Sequence, residues 1–240
     1  MMERTKGRDR EKEMAWSAEN ATKAYLQTMK MGKRPKQPGV FEFISALAAG
    51  SNAQLMVEAC SGVAGSTTLA LATAAHQTGG RVVCVLRGAD EAAASEEVVG
   101  TMAKHIEFVV GDAPTLLLSD LAGADFVLVD CNMVEHEEIL RSVQASRANS
   151  RGAVVVGYNA FCSGSWWSGL QTHLLPFGNG LQVMRIKKGG AEDKGCDGCS
   201  RKSRWVIRVD QCTGEEHVFR VVDSSLGYGE GLLKLERLYL

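Results

Sequence analysis

A run of small residues between a predicted strand and a predicted helix is the part of this sequence best suited to hold a ligand. It reads LMVEACSGVAGSTTLALA, from Leu55 to Ala72. Small side chains let the backbone approach a ligand closely, and the start of a helix offers free N–H groups. The run has no lysine and no Gly-x-Gly-x-x-Gly pattern, so it does not predict a phosphate loop. Glu58, where the strand ends, suits an amine or a sugar hydroxyl; a tight turn with no ligand is the alternative.

A second group of residues has the spacing of zinc ligands. Cys196, Cys199, Cys212 and His217 form the pattern Cys-x2-Cys-x12-Cys-x4-His, and thiolates and imidazole are ligands of tetrahedral zinc. The alternative is that CDGC lies in a flexible linker while Cys212 and His217 occupy the turn of a hairpin. Flanking glycines and the absence of a second Cys-x-x-Cys favour this alternative, since motif matches alone are often false.

Two further features suit a substrate site. His136 follows a predicted strand and could be a general base, although a histidine between Glu135 and Glu137 is more often a solvated residue at a helix start. Trp166 and Trp167 stand in SGSWWSG, where two aromatic rings could line a substrate site. A hydrophobic edge or the contact of a homodimer is the alternative for this pair.

The elements that position these residues alternate between strand and helix. After two N-terminal helices that begin at Ser17 and Val40, strands are predicted at 54–59, 81–86, 106–110, 126–130 and 153–158, and helices at 66–77, 90–104, 114–121 and 135–146. Runs such as RVVCVL, FVLVD and AVVVGY are continuously apolar, as parallel strands covered on both faces are. The pattern predicts an α/β fold with a doubly wound, mostly parallel sheet.

The rest of the chain predicts appended β-structure. LPFGNGLQVMRIKK, residues 175–188, indicates a turn followed by an antiparallel strand at the edge of the sheet. The glycine-rich, charged segment 189–202 predicts a linker. SRWVIRVD and EEHVFRVVD, on either side of QCTG, predict a β-hairpin within an extension at 203–240. Residues 1–14 predict a disordered tail, which leaves 15–188 for the α/β domain.

Composition restricts the class of protein. The chain has 240 residues, of which 45% are hydrophobic and 23% charged, as in an ordinary globular protein. Its formal net charge is −1, so we expect no binding to nucleic acid through a global positive field. No apolar run approaches the roughly 18 residues of a membrane helix. The N-terminus lacks the pattern of a secretory signal, and several cysteines lie in apolar runs, which favours a soluble cytoplasmic protein, with the nucleus as the alternative.

Four segments, together with the loop after Glu58, carry a resemblance to a known family. They are VVGDA (Val109–Ala113), ADFVLVDCN (Ala124–Asn132), GAVVVGYNAF (Gly152–Phe161) and LPFGNGLQVMRI (Leu175–Ile186). In order and spacing they resemble the class I S-adenosylmethionine-dependent methyltransferases, especially the caffeoyl-CoA and catechol O-methyltransferase type. WSAENATKAYL and EFISALAAG resemble a plant family of methyltransferase-like proteins of unknown function.

The resemblance implies a Rossmann-like methyltransferase fold with S-adenosylmethionine as the cofactor. It assigns Glu58 to the methionine amine and Asp112 to the adenine amino group. The other implied cofactor contacts involve the loop backbone, hydroxyl groups or the surroundings of the adenine ring, and come from Cys60, Ser61, Gly62, Ser66 and Ala113.

Several positions depart from that family. Cys60 and Ala64 replace two loop glycines. Leu86 replaces the acid that binds the ribose hydroxyls, and buried hydroxyl groups without a partner cost about 1–3 kcal/mol. Asp90 or Glu91, one turn later, is the alternative acceptor.

The family's divalent-metal site is incomplete in this chain. Asp130 and Asn159 match two of its three ligands, whereas Tyr158 replaces the carboxylate that precedes Asn159. Mg²⁺ prefers octahedral oxygen ligation with carboxylates and waters, so a single carboxylate predicts a weak site. We therefore expect any methyl transfer to depend weakly on Mg²⁺ or not at all.

Two functions follow from the resemblance and its departures. The first is an S-adenosylmethionine-dependent methyltransferase that transfers a methyl group to an oxygen of a small-molecule acceptor, which the sequence does not identify. The second is a non-catalytic binding or regulatory module with the C-terminal hairpin as its interaction element. An open adenosyl pocket bounded by Glu58, Asp112 and Ala113 favours the first, and side chains that fill this space favour the second.

Overall fold

A seven-stranded sheet is the centre of the fold. The computed structural model describes residues 16–31, 39–146, 152–161 and 172–186, together with the backbone of three strands between 203 and 237. The strands of the sheet are β1 (Leu55–Ala59), β2 (Arg81–Leu86), β3 (Ile106–Val110), β4 (Phe126–Asp130), β5 (Ala153–Tyr158), β6 (Thr172–Leu175) and β7 (Leu181–Ile186). Their order is β3-β2-β1-β4-β5-β7-β6, and β1 to β5 are parallel.

Helices cover both faces of this sheet. They are α1 (Ala18–Met31), α2 (Val40–Gly50), α3 (Ser66–Thr78), α4 (Ala89–Val99), α5 (Ala113–Leu118) and α6 (His136–Ser146), with a 3-10 helix at Gly100–His105. Residues of α1 to α4 share a hydrophobic cluster with one face of the strands, and α5 and α6 share another with the opposite face. The predicted doubly wound α/β fold is confirmed. None of the described helices is long and apolar enough to cross a membrane.

Burial on both faces explains why the parallel strands do not alternate in hydropathy. β4 is buried at every position, and β5 at every position before Tyr158. Successive side chains of a strand point to opposite faces, and here helices cover both. In β1, Met56 packs in the cluster of α3 and Val57 in that of α5 and α6. Glu58 therefore shares the face of Met56, beneath α3.

Glycines in the left-handed region set the ends of two helices. Gly79 follows α3 with φ of +72°, and Gly100 follows α4 with φ of +57°. This conformation ends an α-helix readily because glycine has no Cβ. The helix expected over 90–104 therefore ends at Val99, and the chain continues as a 3-10 helix.

The antiparallel side of the sheet contains one strand that the sequence did not predict. β7 is antiparallel to β5, as LPFGNGLQVMRIKK predicts, but it lies between β5 and the outermost strand, β6. The turn between β6 and β7 requires glycine at Gly180, where φ is +89° and an added Cβ would lie 2.8 Å from the ring of Phe161.

The chain separates into two compact units, Met1–Gly190 and Ala191–Leu240. In the second unit, β8 (Ser203–Val209), β9 (Glu216–Val222) and β10 (Leu235–Arg237) form an antiparallel sheet in the order β10-β9-β8. The pairing of β8 with β9 confirms the predicted hairpin. The domain boundaries 1–14, 15–188, 189–202 and 203–240 stay predictions, since the tail and the linker lie outside the described residues.

Candidate functional site

A shallow cleft opens at the carboxyl ends of β1, β2 and β3. It lies beside the point where the strand order reverses, between β1 and β4, which is where open α/β sheets bind ligands. Small-molecule sites commonly have volumes of about 300–1,000 Å³, and this cleft, with a cavity volume of about 30 Å³, is much smaller. Its walls include Cys60, Leu86, Arg87, Asp112, Ala113 and Glu135.

The cleft brings together three residues of the implied cofactor-binding set, Cys60, Asp112 and Ala113. They follow β1 and β3, two strands that are separated in the sheet by β2. The remaining members of the set are not part of the cleft wall: Glu58, Ser61, Gly62 and Ser66.

Asp112 is exposed and caps α5. Its Oδ2 accepts hydrogen bonds from the backbone N–H of Thr115, at 3.0 Å, and from the Thr115 hydroxyl, at 2.5 Å. These bonds hold the pKa of Asp112 below its usual value because they favour the charged carboxylate. Both bonds use Oδ2, which leaves Oδ1 available to accept from a ligand.

An ion pair joins two walls of the cleft. Arg87, directly after β2, donates to Oε2 of Glu135, directly before α6. Their side chains are 53% and 36% exposed, so the pair is expected to stabilise the fold by no more than about 1 kcal/mol. Beside it, Leu86 is buried at the end of β2, where no carboxylate is present. Asp90 and Glu91, the alternative acceptors, lie in the first turn of α4 and not in the cleft wall.

Hydrogen bonds fix the loop after β1 on both sides of Gly62. Ser61 donates its hydroxyl to Oδ2 of Asp130, and the N–H of Ala64 donates to the Ser95 hydroxyl at 2.8 Å. Space is open where a side chain on Gly62 would lie, so packing does not require glycine there. The Ser61 hydroxyl is engaged with Asp130 and does not face the cleft.

Asp130, at the end of β4, is buried and satisfied by hydrogen bonds. Besides Ser61, its donors are Nδ2 of Asn159, at 2.9 Å, and the N–H of Asn132, at 3.0 Å. Asn159 thus presents a donor to Asp130, and its own Oδ1 accepts from Asn179 at 3.4 Å. A divalent cation would need an oxygen from each ligand. The arrangement of Asp130 and Asn159 therefore does not fit the implied metal site.

Glu58 lies in the interior and not at the floor of the cleft. Its side chain is completely buried, with Thr67 and Thr68 of the first turn of α3 beside it. Burial raises the pKa of this carboxyl because the charged form loses its hydration. Neither oxygen has a hydrogen-bond partner in the described part of the chain. Its position in β1 places Glu58 beneath α3 and not in the cleft wall, and its implied contact with the methionine amine stays a prediction.

His136 is buried at the start of α6, whereas its charged neighbours in the sequence favour a solvated residue. Only 8% of it is exposed. Its Nδ1 lies 2.6 Å from the carbonyl oxygen of Met133, and Nε2 is buried without a partner among the described residues. A general base has to reach the proton that it removes, and His136 does not line the cleft.

A contact between Cys84 and the first loop was not predicted from the sequence. Cys84 pairs in register with Glu58, and its Sγ lies 3.2 Å from Sγ of Cys60. The signal for this contact is the register of two neighbouring parallel strands, which one sequence does not reveal.

Two predicted groups lie largely outside the described residues. They are the Trp166–Trp167 pair and the cysteines at 196, 199 and 212. Of His217, only the backbone within β9 is described. The C-terminal zinc pattern therefore stays a prediction.

Comparison with known proteins establishes a family match and a fold. The model of the family described as "Protein of unknown function (DUF1442)" matches residues 12–221. No curated protein is significantly similar in sequence to this chain.

Among solved structures, a methyltransferase from Geobacter sulfurreducens has a TM-score of 0.50 and 19% identity, and the match covers 71% of this chain and 90% of that one. A putative caffeoyl-CoA O-methyltransferase from Staphylococcus aureus has a TM-score of 0.49 and 13% identity, with 71% and 93% covered. The O-methyltransferase TomG from Streptomyces achromogenes, in complex with SAM, has a TM-score of 0.49 and 19% identity, with 73% and 92% covered. At such identities, the first of these likenesses establishes the methyltransferase fold and nothing further.

Proposed function

The chain belongs to the family described as "Protein of unknown function (DUF1442)", and we propose that it binds S-adenosylmethionine in the cleft at the ends of β1, β2 and β3. One observation supports this most strongly. Cys60, Asp112 and Ala113, which the resemblance to class I methyltransferases implies as cofactor contacts, converge on the cleft from separate strands. The cleft also lies where the fold class binds its ligands.

The walls of the cleft suit the adenosine half of this cofactor. Oδ1 of Asp112 would accept a hydrogen bond from the adenine amino group while Oδ2 continues to cap α5. Leu86, Pro114 and Met133 supply apolar surface. Because Leu86 offers the ribose hydroxyls no acceptor, we expect binding to be weaker by about 1–3 kcal/mol than with a carboxylate at this position.

In this proposal the protein acts by binding and orientation. Bound S-adenosylmethionine supplies a methyl group on a sulfonium, which is already a good leaving group. The chain's contribution is to hold a small hydroxyl-bearing acceptor in line with that group and to exclude water. We assign no residue as the base, because the buried Nε2 of His136 does not reach the cleft.

A non-catalytic binding module is the second candidate, and two observations favour it. Leu86 is buried at the position where the family binds ribose. The ion pair of Arg87 with Glu135 joins two cleft walls and reduces the room for a ligand. Such a module would bind the cofactor or its demethylated product without turnover.

Isothermal titration calorimetry of the full-length protein with S-adenosylmethionine and S-adenosylhomocysteine tests the proposal. We expect saturable binding of both, with Asp112→Asn weakening it about tenfold, equivalent to 1.4 kcal/mol. Asparagine still caps α5 but can place a donor where the adenine amino group needs an acceptor. Asp120→Asn, an exposed acid in the turn after α5, is the matched control and should bind as the wild type. Absence of binding at millimolar ligand contradicts the proposal.

A turnover assay separates the two candidate functions. Release of S-adenosylhomocysteine is measured with a panel of small phenolic and catecholic acceptors. Release above the rate without acceptor supports the methyltransferase, and cofactor binding without release across the panel supports the module.

A further inference from the structure

Three buried side chains with metal-binding atoms meet beneath the first loop. Glu58 lies in β1, Cys60 follows it, and Cys84 lies in β2; their exposed fractions are 0%, 5% and 0%. One carboxylate oxygen and the two Sγ atoms all lie within 4.8 Å of one another. In the described part of the chain, no other group of three acidic, thiol or imidazole side chains is arranged in this way.

The Glu58 carboxyl has no partner that explains its burial. Thr67 and Thr68 lie beside it, but neither of its oxygens has a hydrogen-bond partner in the described part of the chain. A buried polar group without a hydrogen bond costs several kcal/mol, and buried charges in proteins are paired or coordinate a metal. The carboxyl oxygen and the two thiols together form a set of ligand atoms of the kinds that bind a metal ion.

We propose that Glu58, Cys60 and Cys84 bind a Zn²⁺ ion. Thiolate and carboxylate oxygen are both zinc ligands, at about 2.3 Å and about 2.0–2.2 Å. Two sulfur ligands of a tetrahedral zinc ion lie about 3.8 Å apart, so the two Sγ atoms would separate slightly from the present 3.2 Å. Cu⁺ also binds thiolates, but a carboxylate suits the harder Zn²⁺ ion better.

The charges around the cluster favour a divalent cation. One carboxylate and two thiolates exceed the charge of Zn²⁺ by one negative charge. Glu58 lies against the first turn of α3, at Thr67 and Thr68, and the N-terminus of a helix carries a partial positive charge. The helix therefore partly offsets the charge that remains after the ion has bound.

The site has an entrance and a coordination position that the protein does not fill. Cys60 lines the cleft as well as contacting Cys84, so the ion can enter from the cleft. Three protein ligands leave the fourth tetrahedral position for a water molecule or for an atom of a ligand in the cleft. Zinc binding and S-adenosylmethionine binding are separate proposals, and either can fail without the other.

Zinc binding at this site releases protons. Thiols and carboxyl groups bind zinc in their deprotonated forms. Each group that becomes a ligand gives up its proton to solvent as its bond to Zn²⁺ forms, and no atom changes its oxidation state. The apparent affinity should therefore rise with pH.

A zinc titration of the reduced full-length protein tests the proposal. Cys196→Ser and Cys199→Ser are introduced first, which disables the other predicted zinc group and gives the parent for the comparisons. Competition with a chromophoric chelator then measures the stoichiometry and the Kd. We expect one ion per chain, and an affinity at least about a hundredfold lower when Cys84→Ser is added, equivalent to 2.7 kcal/mol. No zinc binding by this parent, or an unchanged Kd with Cys84→Ser, overturns the proposal.

Cys131→Ser is the matched control for Cys84→Ser. Cys131 is also a buried thiol at the end of a central strand, but it is not part of the cluster. We expect Cys131→Ser to leave the Kd within about twofold of its value in the parent, well below a tenfold change of 1.4 kcal/mol. A loss of zinc affinity equal to that of Cys84→Ser would show a general effect on folding and would overturn the assignment.

Two further measurements apply if Cys84→Ser does not fold. Glu58→Gln removes a buried acid and should fold, yet lower the zinc affinity at least about tenfold, or 1.4 kcal/mol. Co²⁺ bound to the parent should show the near-ultraviolet absorption of thiolate ligation, and Cys131→Ser should retain it. Tight Co²⁺ binding without that absorption, or a Glu58→Gln variant that binds zinc as the parent does, overturns the proposal.

Discussion

Two buried acids end neighbouring strands of the same sheet, and their surroundings are opposite. Asp130, in β4, is 5% exposed and accepts hydrogen bonds from Ser61, Asn132 and Asn159. Glu58, in β1, is 0% exposed and accepts none from the described residues. The donors around Asp130 come from the loops after β1, β4 and β5. The comparison shows that the loops decide what a strand-end acid can do, and not its place in the strand.

The contrast also reverses the roles that the family resemblance implies for these two acids. Asp130 falls on a metal ligand of the family, but its oxygens are already used by protein donors. Glu58 falls on a cofactor contact, but it lies beneath α3 with two thiols beside it. A metal ion therefore suits the position of Glu58 better than that of Asp130.

The largest expected effect is that of Asp130→Ala. The substitution removes the hydrogen bonds that Asp130 accepts from Ser61, Asn132 and Asn159, and a hydrogen bond to a charged group contributes about 1.5–3 kcal/mol. We expect the free energy of unfolding, measured with urea, to fall by about 3 kcal/mol or more. Glu107→Ala, which removes a surface ion pair with Arg81, is the control and should change it by less than about 1 kcal/mol. A comparably small effect for Asp130→Ala would remove the contrast with Glu58.

Glu58→Leu is expected to act in the opposite direction. In protein treated with a chelator, the substitution replaces an unpartnered buried carboxyl by an apolar group of similar size. We expect the free energy of unfolding to rise by about 1–2 kcal/mol, because replacing buried polar groups by packed apolar ones is often stabilising. In the Cys196→Ser, Cys199→Ser background, added Zn²⁺ should raise the melting temperature of the protein with Glu58 and not that of the protein with Glu58→Leu. A loss above about 2 kcal/mol in zinc-free protein would show that Glu58 has partners, as Asp130 has.

Asp112 extends the comparison to an exposed acid. Because its pKa in the folded protein is below its usual value, the unfolded chain binds the proton more tightly. The stability that this carboxylate contributes is therefore complete above the unfolded pKa and is lost as the pH falls through the lower folded pKa. Urea unfolding of wild type and Asp112→Asn between pH 7 and pH 2 should show a wild-type advantage below about 1 kcal/mol that disappears in acid. An advantage that grows in acid would contradict this sign.

Removal of the cleft ion pair should affect the ligand more than the fold. We expect Arg87→Ala to change the free energy of unfolding by less than about 0.5 kcal/mol, because the pair is exposed. The same change frees Glu135 as an acceptor, so the affinity for S-adenosylmethionine should rise. Arg81→Ala removes the exposed ion pair with Glu107 at the opposite end of β2 and should leave the affinity for S-adenosylmethionine unchanged. Weaker cofactor binding in Arg87→Ala would show that Arg87 itself contacts the ligand.

The last expectation concerns Mg²⁺, which should change neither the stability of the protein nor any methyl transfer. Asp130 already accepts hydrogen bonds from protein donors, and Asn159 directs its amide nitrogen towards Asp130. The two side chains therefore do not present a pair of oxygens to Mg²⁺. Melting temperature and any methyl transfer should be the same with millimolar Mg²⁺ and with a chelator specific for it. Activity that requires Mg²⁺ would show that Asn159 rotates to present its oxygen.

The sequence by itself determined the order of elements and the class of fold. Continuously apolar runs such as RVVCVL and FVLVD specify strands covered on both faces, and they became β2 and β4 with the expected bounds. Ser17 and the glycine after α3 act on their own neighbours, so the start of α1 and the end of α3 could be read locally, whereas the prediction ran past Gly100 at the end of α4. The cleft was predicted in part, because carboxyl ends of parallel strands always share one edge.

Only the tertiary structure decided which strand-end groups meet and which face they take. One sequence does not state strand register, so the pairing of Glu58 with Cys84 and the contact of Cys84 with Cys60 could not be predicted. The donors of Asp130 and the partner of Arg87 likewise come from loops distant along the chain. Burial depends on how the whole domain packs. Packing gives hydrogen-bond donors to Asp130 and leaves Glu58, an acid of similar chemistry, without one among the described residues.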